Sequence, residues 1–351
     1  MTITFPHLGP YHVAIGWLCR RLFPCAQVMP APPITKKTLA LGAANSPDFV
    51  CVPFKYTLGS YIEALDAGAT VLLQAGGGCR YGYYAAVQEQ ILRDMGYKFE
   101  LIKLFDGTVS PRKLYKICKR LGSTVSFAGF LNSIFLTFMM IRHMDRLDHY
   151  LRENIGFETE KGSFNSWRTE LYDMLANTKN IKQLQKTVKL YEKKLKRIPT
   201  NKPADCMKVG IVGELYTCME PFSNYQLEQR LAGQGMAIKR FINVTFLLTQ
   251  KARWRKAVLR GCGPYLRYEI GADGADSVCC ARQLARHGCH GVIHVKPFGC
   301  TPEVNAMPML AAISRDYKMP ILHFSFDAQT AETGVETRLE AFGDMLRMRS
   351  R

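Results

Sequence analysis

Apolar and polar positions alternate along this chain in short runs separated by helical periodicities, and the runs come in two groups. In the first group an apolar helix covers His12 to Leu18 and ends near Arg20-Arg21, and a proline-rich loop follows from Pro24 to Pro33. Thr35 then leads a short helix that Gly42 closes as a C-cap. Phe49-Val50 reads as a strand running to Cys51, Ser60 to Ala67 as a helix stopped by Gly68, and Thr70 to Leu73 as a strand. Tyr84 to Met95 places Val87, Ile91 and Leu92 on one helical side, and Lys98 to Leu104 is a further strand. Strand and helix in alternation predict parallel strands with crossover helices, a doubly wound α/β layer.

Between Ser110 and Arg197 the pattern becomes mostly helical. Pro111 suits a first helical position. Ile181, Leu184, Val188, Tyr191 and Leu195 follow a 3-4 spacing, with lysines and arginines between them, which predicts an amphipathic helix with a basic solvated face. Residues 199–203 read as a linker. A second alternating group begins at Met207: a strand over Lys208 to Gly213 with Glu214 at its end, a helix from Asn224 to Leu231, a strand from Ile238 to Val244, and a helix around Cys279-Cys280. The buried run Gly291 to Pro297 then leads through Gly299 to Cys300, Pro302 and Glu303 begin a helix, Pro320 to Phe326 is a last strand, and Thr337 to Met348 a last helix. The expected layout is an N-terminal α/β lobe (1–110), a helical connecting segment with linker (111–206) and a C-terminal α/β lobe (207–351).

Length and composition agree with two packed domains: 351 residues, 47% of them apolar, without low-complexity tracts. The first residues lack the basic start and apolar core of a signal peptide. The longest apolar run, Phe127 to Ile141, is broken by Asn132, Ser133 and Thr137 and falls short of the ~20 residues that span a bilayer, so a cytoplasmic protein without a membrane segment is expected. A net charge of +18 calls for an anionic partner, yet the charge is spread along the chain without a groove-reading or RNA-stacking motif, so nucleic acid is not the expected partner.

Twelve cysteines in a chain without a secretory signal point toward metal or redox work rather than a disulfide framework. No C-x-x-C pair occurs, so ligands would have to be gathered by the fold. Three cysteines share a context: Cys51, Cys79 and Cys300 each follow an apolar run and precede a helix, and Gly76-Gly77-Gly78 removes side chains just before Cys79. Strand C-terminal ends are where open α/β sheets bind ligands, and a glycine nest favours negative charge. Three thiolates leave one position of a cubane open. The alternative is that all twelve are small buried hydrophobes. Cys25 reads as an incidental thiol, and His294, in mid-strand, as a core histidine with satisfied nitrogens.

The blocks SPDFVCVPFKYTLGSYIEAL, GGGCRYGYY, HVKPFGCTPEVNAMPML and DAQTAETGVETRLEAF resemble, in order and spacing, the D-component family of 2-hydroxyacyl-CoA dehydratases, which is related to benzoyl-CoA reductases and double-cubane-cluster proteins. The resemblance is nearest to its short branch, described as CoA-substrate-specific enzyme activases. It implies two Rossmann-like lobes around a [4Fe–4S] cluster, with Cys51, Cys79 and Cys300 as ligands. It also implies an ATP-hydrolysing activator of the actin-like ATPase type as partner, and a homodimer or a heterodimer with a related subunit. In the dehydratases one low-potential electron generates a ketyl radical from a 2-hydroxyacyl-CoA. This chain has no P-loop, so ATP hydrolysis belongs to the partner. Lys55, Arg80 and Tyr83 are candidates for binding a small-molecule substrate, and Glu214 and Glu303 for moving protons, while Cys218 and Cys262 could support a second cubane. The alternative function is an electron-transfer or scaffold subunit that carries a cluster and has no substrate of its own.

Overall fold

The computed structural model describes residues 1–77, 79–104, 110–251 and 255–350. The chain divides into two compact units, Met1–Ile141 with Tyr172–Gln185, and Arg142–Leu171 with Lys186–Arg351. The first contains β1 (Thr2–Thr4), α1 (His12–Leu22), β2 (Gln27–Val28), α2 (Lys36–Ala44), α3 (Val52–Asp66), β3 (Val71–Gln74), α4 (Tyr81–Asp94), β4 (Glu100–Lys103) and α5 (Pro111–Arg120). Its strands form one parallel sheet in the order β2-β1-β3-β4, with Ile3 opposite Val28 and Val71, and Leu72 opposite Thr4 and Leu101. Every residue of β3 is buried, as expected for a strand in a parallel sheet covered on both faces. Side chains alternate across a strand, so Val71 and Leu73 meet Cys19, Leu22, Phe23, Cys118 and Phe130 on one side. Leu72 meets Phe54, Leu58, Tyr61, Tyr84 and Leu92 on the other.

Helices α2 and α3 approach through two glycines. A Cβ on Gly42 would lie 1.7 Å from the Lys55 carbonyl oxygen, and one on Gly59 1.9 Å from that of Thr38. Gly42 is therefore an interior contact residue of α2 and not the expected C-cap. This packing carries α3 along β3, with Cys51 as the N-cap residue of α3.

Helices α6 (Phe127–Asn154), α7 (Ser163–Ala176) and α8 (Ile181–Lys196) each have residues in both units. In α8 the expected stripe is observed: Leu184, Val188, Tyr191 and Leu195 are buried. The apolar run expected to stop at Ile141 continues into the 28-residue α6, which by length and composition alone is long and apolar enough to cross a membrane. Part of it is buried, through Phe130, Leu136, Met140, Met144, Leu147 and Leu151.

The second unit adds β5 (Lys208–Gly213), α9 (Leu215–Met219), α10 (Leu227–Gly233), β6 (Ala237–Lys239), α11 (Arg255–Cys262), α12 (Gly274–Arg286), β7 (Gly291–Pro297), α13 (Thr301–Asp316), β8 (Ile321–Phe326) and α14 (Glu332–Ser350). Its sheet is again parallel, ordered β6-β5-β7-β8, so both sheets place their strands in one sequence: second, first, third, fourth. Val212, His294 and His323 are register partners across β5, β7 and β8. Gly213 ends β5 at φ 142°, and a Cβ there would lie 1.8 Å from the Val295 carbonyl oxygen, so glycine alone fits this strand exit.

Two doubly wound parallel layers thus match the expected α/β class of two Rossmann-like lobes. Several elements differ in detail. The expected strand before Cys51 is irregular backbone, because Phe49 points outward and only two apolar residues precede the cysteine. The helix expected to start at Ser60 starts at Val52, and the strand expected over Ile238 to Val244 is confined to Ala237–Lys239. β1 and β2, short strands of three and two residues, lie in stretches without a strand-length apolar pattern.

The Gly59→Ala protein is expected to lose about 1–3 kcal/mol of stability through forced separation of α2 and α3. Urea unfolding checks this, and an unchanged midpoint would show that the two helices can part without cost.

Candidate functional site

A parallel sheet gathers all its strand exits along one edge, and ligands bind there where the strand order reverses. In the first unit that place lies between the exits of β1 and β3. The β1 exit carries His7 and His12, whose rings stack at 5.1 Å, with His12 Nδ1 2.8 Å from the Gly9 carbonyl oxygen. The β3 exit carries the glycine loop and Cys79. Gly78 lies outside the described residues, while at Gly77 a Cβ would lie 2.6 Å from Tyr81 Cβ, so the tyrosine stands directly against glycine backbone.

Tyr84 contacts Cys51, one of the two candidate thiols of this unit. It belongs to the first turn of α4, is buried, and packs edge-on against Phe54 at 4.8 Å. Its hydroxyl lies 2.6 Å from Cys51 Sγ. Burial pushes the Tyr84 phenol up, and the neighbouring Cys51 and Cys79 sulfurs add to the effect. It therefore remains an O–H donor at neutral pH, suited to a sulfur that carries negative charge. Cys79 Sγ accepts the Tyr81 backbone N–H at 3.5 Å, at the start of the same helix. Cys51 is half-buried and Cys79 exposed. Lys55 is half-buried in the first turn of α3, Arg80 is the exposed N-cap residue of α4, and Tyr83 is exposed in the first turn of that helix.

The second unit repeats the geometry at the exits of β5 and β7. Glu214 follows Gly213 and caps α9, its carboxylate accepting the N–H groups of Tyr216 at 3.0 Å and Thr217 at 2.8 Å and the Thr217 hydroxyl at 2.7 Å. Burial, with Asp273 nearby, nonetheless pushes its carboxyl up to about 7. Cys300 is half-buried and is the N-cap residue of α13. Lys296, buried two residues before Phe298, is pulled down by burial, while Cys300 and Glu303 oppose that shift by favouring its charge. Glu303 points into the interior and is fully buried. It accepts the Ser277 hydroxyl at 3.0 Å and lies 2.8 Å from His294 Nε2.

The remaining cysteines differ in environment. Cys19, Cys118, Cys206, Cys218, Cys262, Cys280 and Cys289 are buried. Burial pushes Cys19 up to about 12 and Cys118 and Cys289 up to about 11, and does the same to Cys218 and Cys280. Such thiols stay protonated and serve as packing. Cys218 and Cys262, considered for a second cubane, both lie in this buried set.

Among the described residues, no three His, Cys, Asp or Glu side chains form a metal-binding group. In the first unit the Tyr84 hydroxyl contacts Cys51, and Cys79 contacts the Tyr81 backbone N–H at the start of the same helix. Thiols outside the core, at helix starts where backbone N–H groups favour negative charge, are suitable donors for iron–sulfur chemistry. Lys296, Tyr84, Asp273, His7 and His12 belong to these exits and were not singled out by sequence. The signal available for the histidines is their position just after β1, a strand too short to recognise. No protein-family model matches the chain, and no curated protein matches it.

Because Glu214 titrates higher in the fold than in the unfolded chain, its stabilising contribution is present at acid pH and is lost as pH rises through about 7. Glu214→Gln is expected to flatten that part of the stability–pH profile measured by urea unfolding. A parallel profile for both proteins would contradict the assignment.

Proposed function

We propose that this chain is an iron–sulfur protein of the 2-hydroxyacyl-CoA dehydratase type, in which Cys51, Cys79 and Cys300 hold a [4Fe–4S] cluster that an ATP-hydrolysing activator protein reduces. One observation carries the reading. Cys51 and Cys300 are helix N-caps and Cys79 directly precedes one, whereas seven of the twelve cysteines are buried packing thiols. The sequence blocks that resemble the dehydratases contain these same three residues and support it.

The cluster, when bound, supplies a low-potential electron for dehydration or reduction of a small acyl-CoA-type substrate. The side chains divide the remaining work. The Tyr84 hydroxyl lies 2.6 Å from Cys51 Sγ, and toward a thiolate there it would be the donor and offset the negative charge. Lys296 places a buried positive charge near Cys300. Glu214, pushed up to about 7, holds a proton poised for exchange near neutral pH, which suits a general acid or base. Lys55, Arg80 and Tyr83, near the two thiols of the first unit, are available to a thioester and its phosphates.

Anaerobic purification or reconstitution is expected to give a brown protein with about four irons per chain. Cys51→Ser, Cys79→Ser and Cys300→Ser should each lose iron, while Cys118→Ser should retain it. A colourless, iron-free protein after reconstitution would overturn the reading. If the cluster forms, its spectrum after reduction by activator and ATP should respond to acyl-CoA thioesters, and an unresponsive cluster would instead indicate a carrier subunit.

A further inference from the structure

The core of the second unit holds a polar chain that its packing does not require. His294 on β7 is fully buried, its Nε2 lies 2.8 Å from a Glu303 carboxylate oxygen, and its Nδ1 lies 2.8 Å from Nδ1 of His323 on β8. His323 is only half-buried, so the chain runs from the edge of the core to a fully buried carboxylate. A hydrophobic pair at these register positions would fill the same layer without burying an acid.

The contact between two Nδ1 atoms is restrictive. With both rings neutral, one Nδ1 must carry a proton and the other must accept it. Two complementary arrangements satisfy every contact. In the first, Glu303 is ionised, His294 donates from Nε2 to it, and His323 donates from Nδ1 to His294. In the second, Glu303 is protonated and donates to His294 Nε2, His294 donates from Nδ1 to His323, and His323 carries its proton on Nε2. A proton arriving at His323 Nε2 converts the first into the second: the His323 Nδ1 proton passes to His294 Nδ1, and the His294 Nε2 proton passes to Glu303. One N–H bond forms as each neighbouring one breaks, and neither ring is left charged.

Surrounding groups favour that neutral-ring shuttle. Burial holds His294 down at about 3 and His323 at about 4, with Lys296 adding to both and Arg338 of α14 to the second. Cys218 of α9, Cys280 and Ser277 of α12, and Lys296 of β7 are further polar or titratable groups near Glu303. Imidazolium is therefore disfavoured at both positions.

We infer that Glu303, His294 and His323 form a proton wire, carrying one proton between the half-buried His323 and Glu303 in the first turn of the helix that Cys300 caps. Its use, uptake of a proton alongside an electron at that end of the sheet, rests on the function proposed above; the wire itself does not. Ring-nitrogen NMR of the full-length protein labelled with 15N-histidine tests it. On acidification His294 and His323 should exchange tautomers together, from Nε2-H and Nδ1-H to Nδ1-H and Nε2-H, with neither becoming cationic. Glu303→Gln should abolish the exchange, and His323→Phe should leave His294 in one tautomer at every pH. Fixed tautomers in the wild-type protein, or an imidazolium at either ring, would overturn the wire whether or not the variants fold. Iron content measured on the same samples reports separately on the cluster, so a wire without iron, or iron without a wire, identifies which inference failed.

Discussion

Parallel strand pairing is the constraint on which the other features depend. Because every strand in a sheet points the same way, each must be reached by a crossover element, and all exits lie along one edge. Placing the first strand between the second and third makes the connections leave in opposite directions at that edge. Both units use this order, so each has a gap between two strand exits where backbone ends and helices begin. The glycine contacts between α2 and α3, and Gly213 beside Val295, show how closely the backbone must pack to hold these exits.

What can be read in the sequence follows the length of each physical signal. β7, seven residues and buried throughout, is plain from its apolar run, as are the amphipathic α8 and the glycine-to-cysteine exit at Cys300. Cys51 was placed correctly at a helix start but after a strand that is absent. Phe49 is 94% exposed, and two apolar residues carry no periodicity to distinguish a strand from a loop. The true extent of α3 was hidden because its pattern is nearly all buried, with no polar face to mark the period. Gly42 resembled a cap because a close helix crossing and a helix end use the same residue for different reasons.

The polar interior was the least legible part. His294 was expected to be a satisfied core histidine, and it is, but its partners come from a helix start and a neighbouring strand whose register no local pattern encodes. Lys296 reads as one lysine among many in a chain with 47 lysines and arginines, and only burial beside Cys300 and Glu303 sets it apart. Burial sorts the cysteines only in part: seven are buried, while the three candidate ligands share the unburied group with Cys25 and Cys279.

The central claim, that three thiols of this chain hold one cubane and leave one iron without a cysteine, is tested most directly by Mössbauer spectroscopy of the 57Fe-reconstituted protein. The account predicts two kinds of iron in a ratio of about three to one. Four equivalent irons, or iron bound without cluster signals, would contradict it.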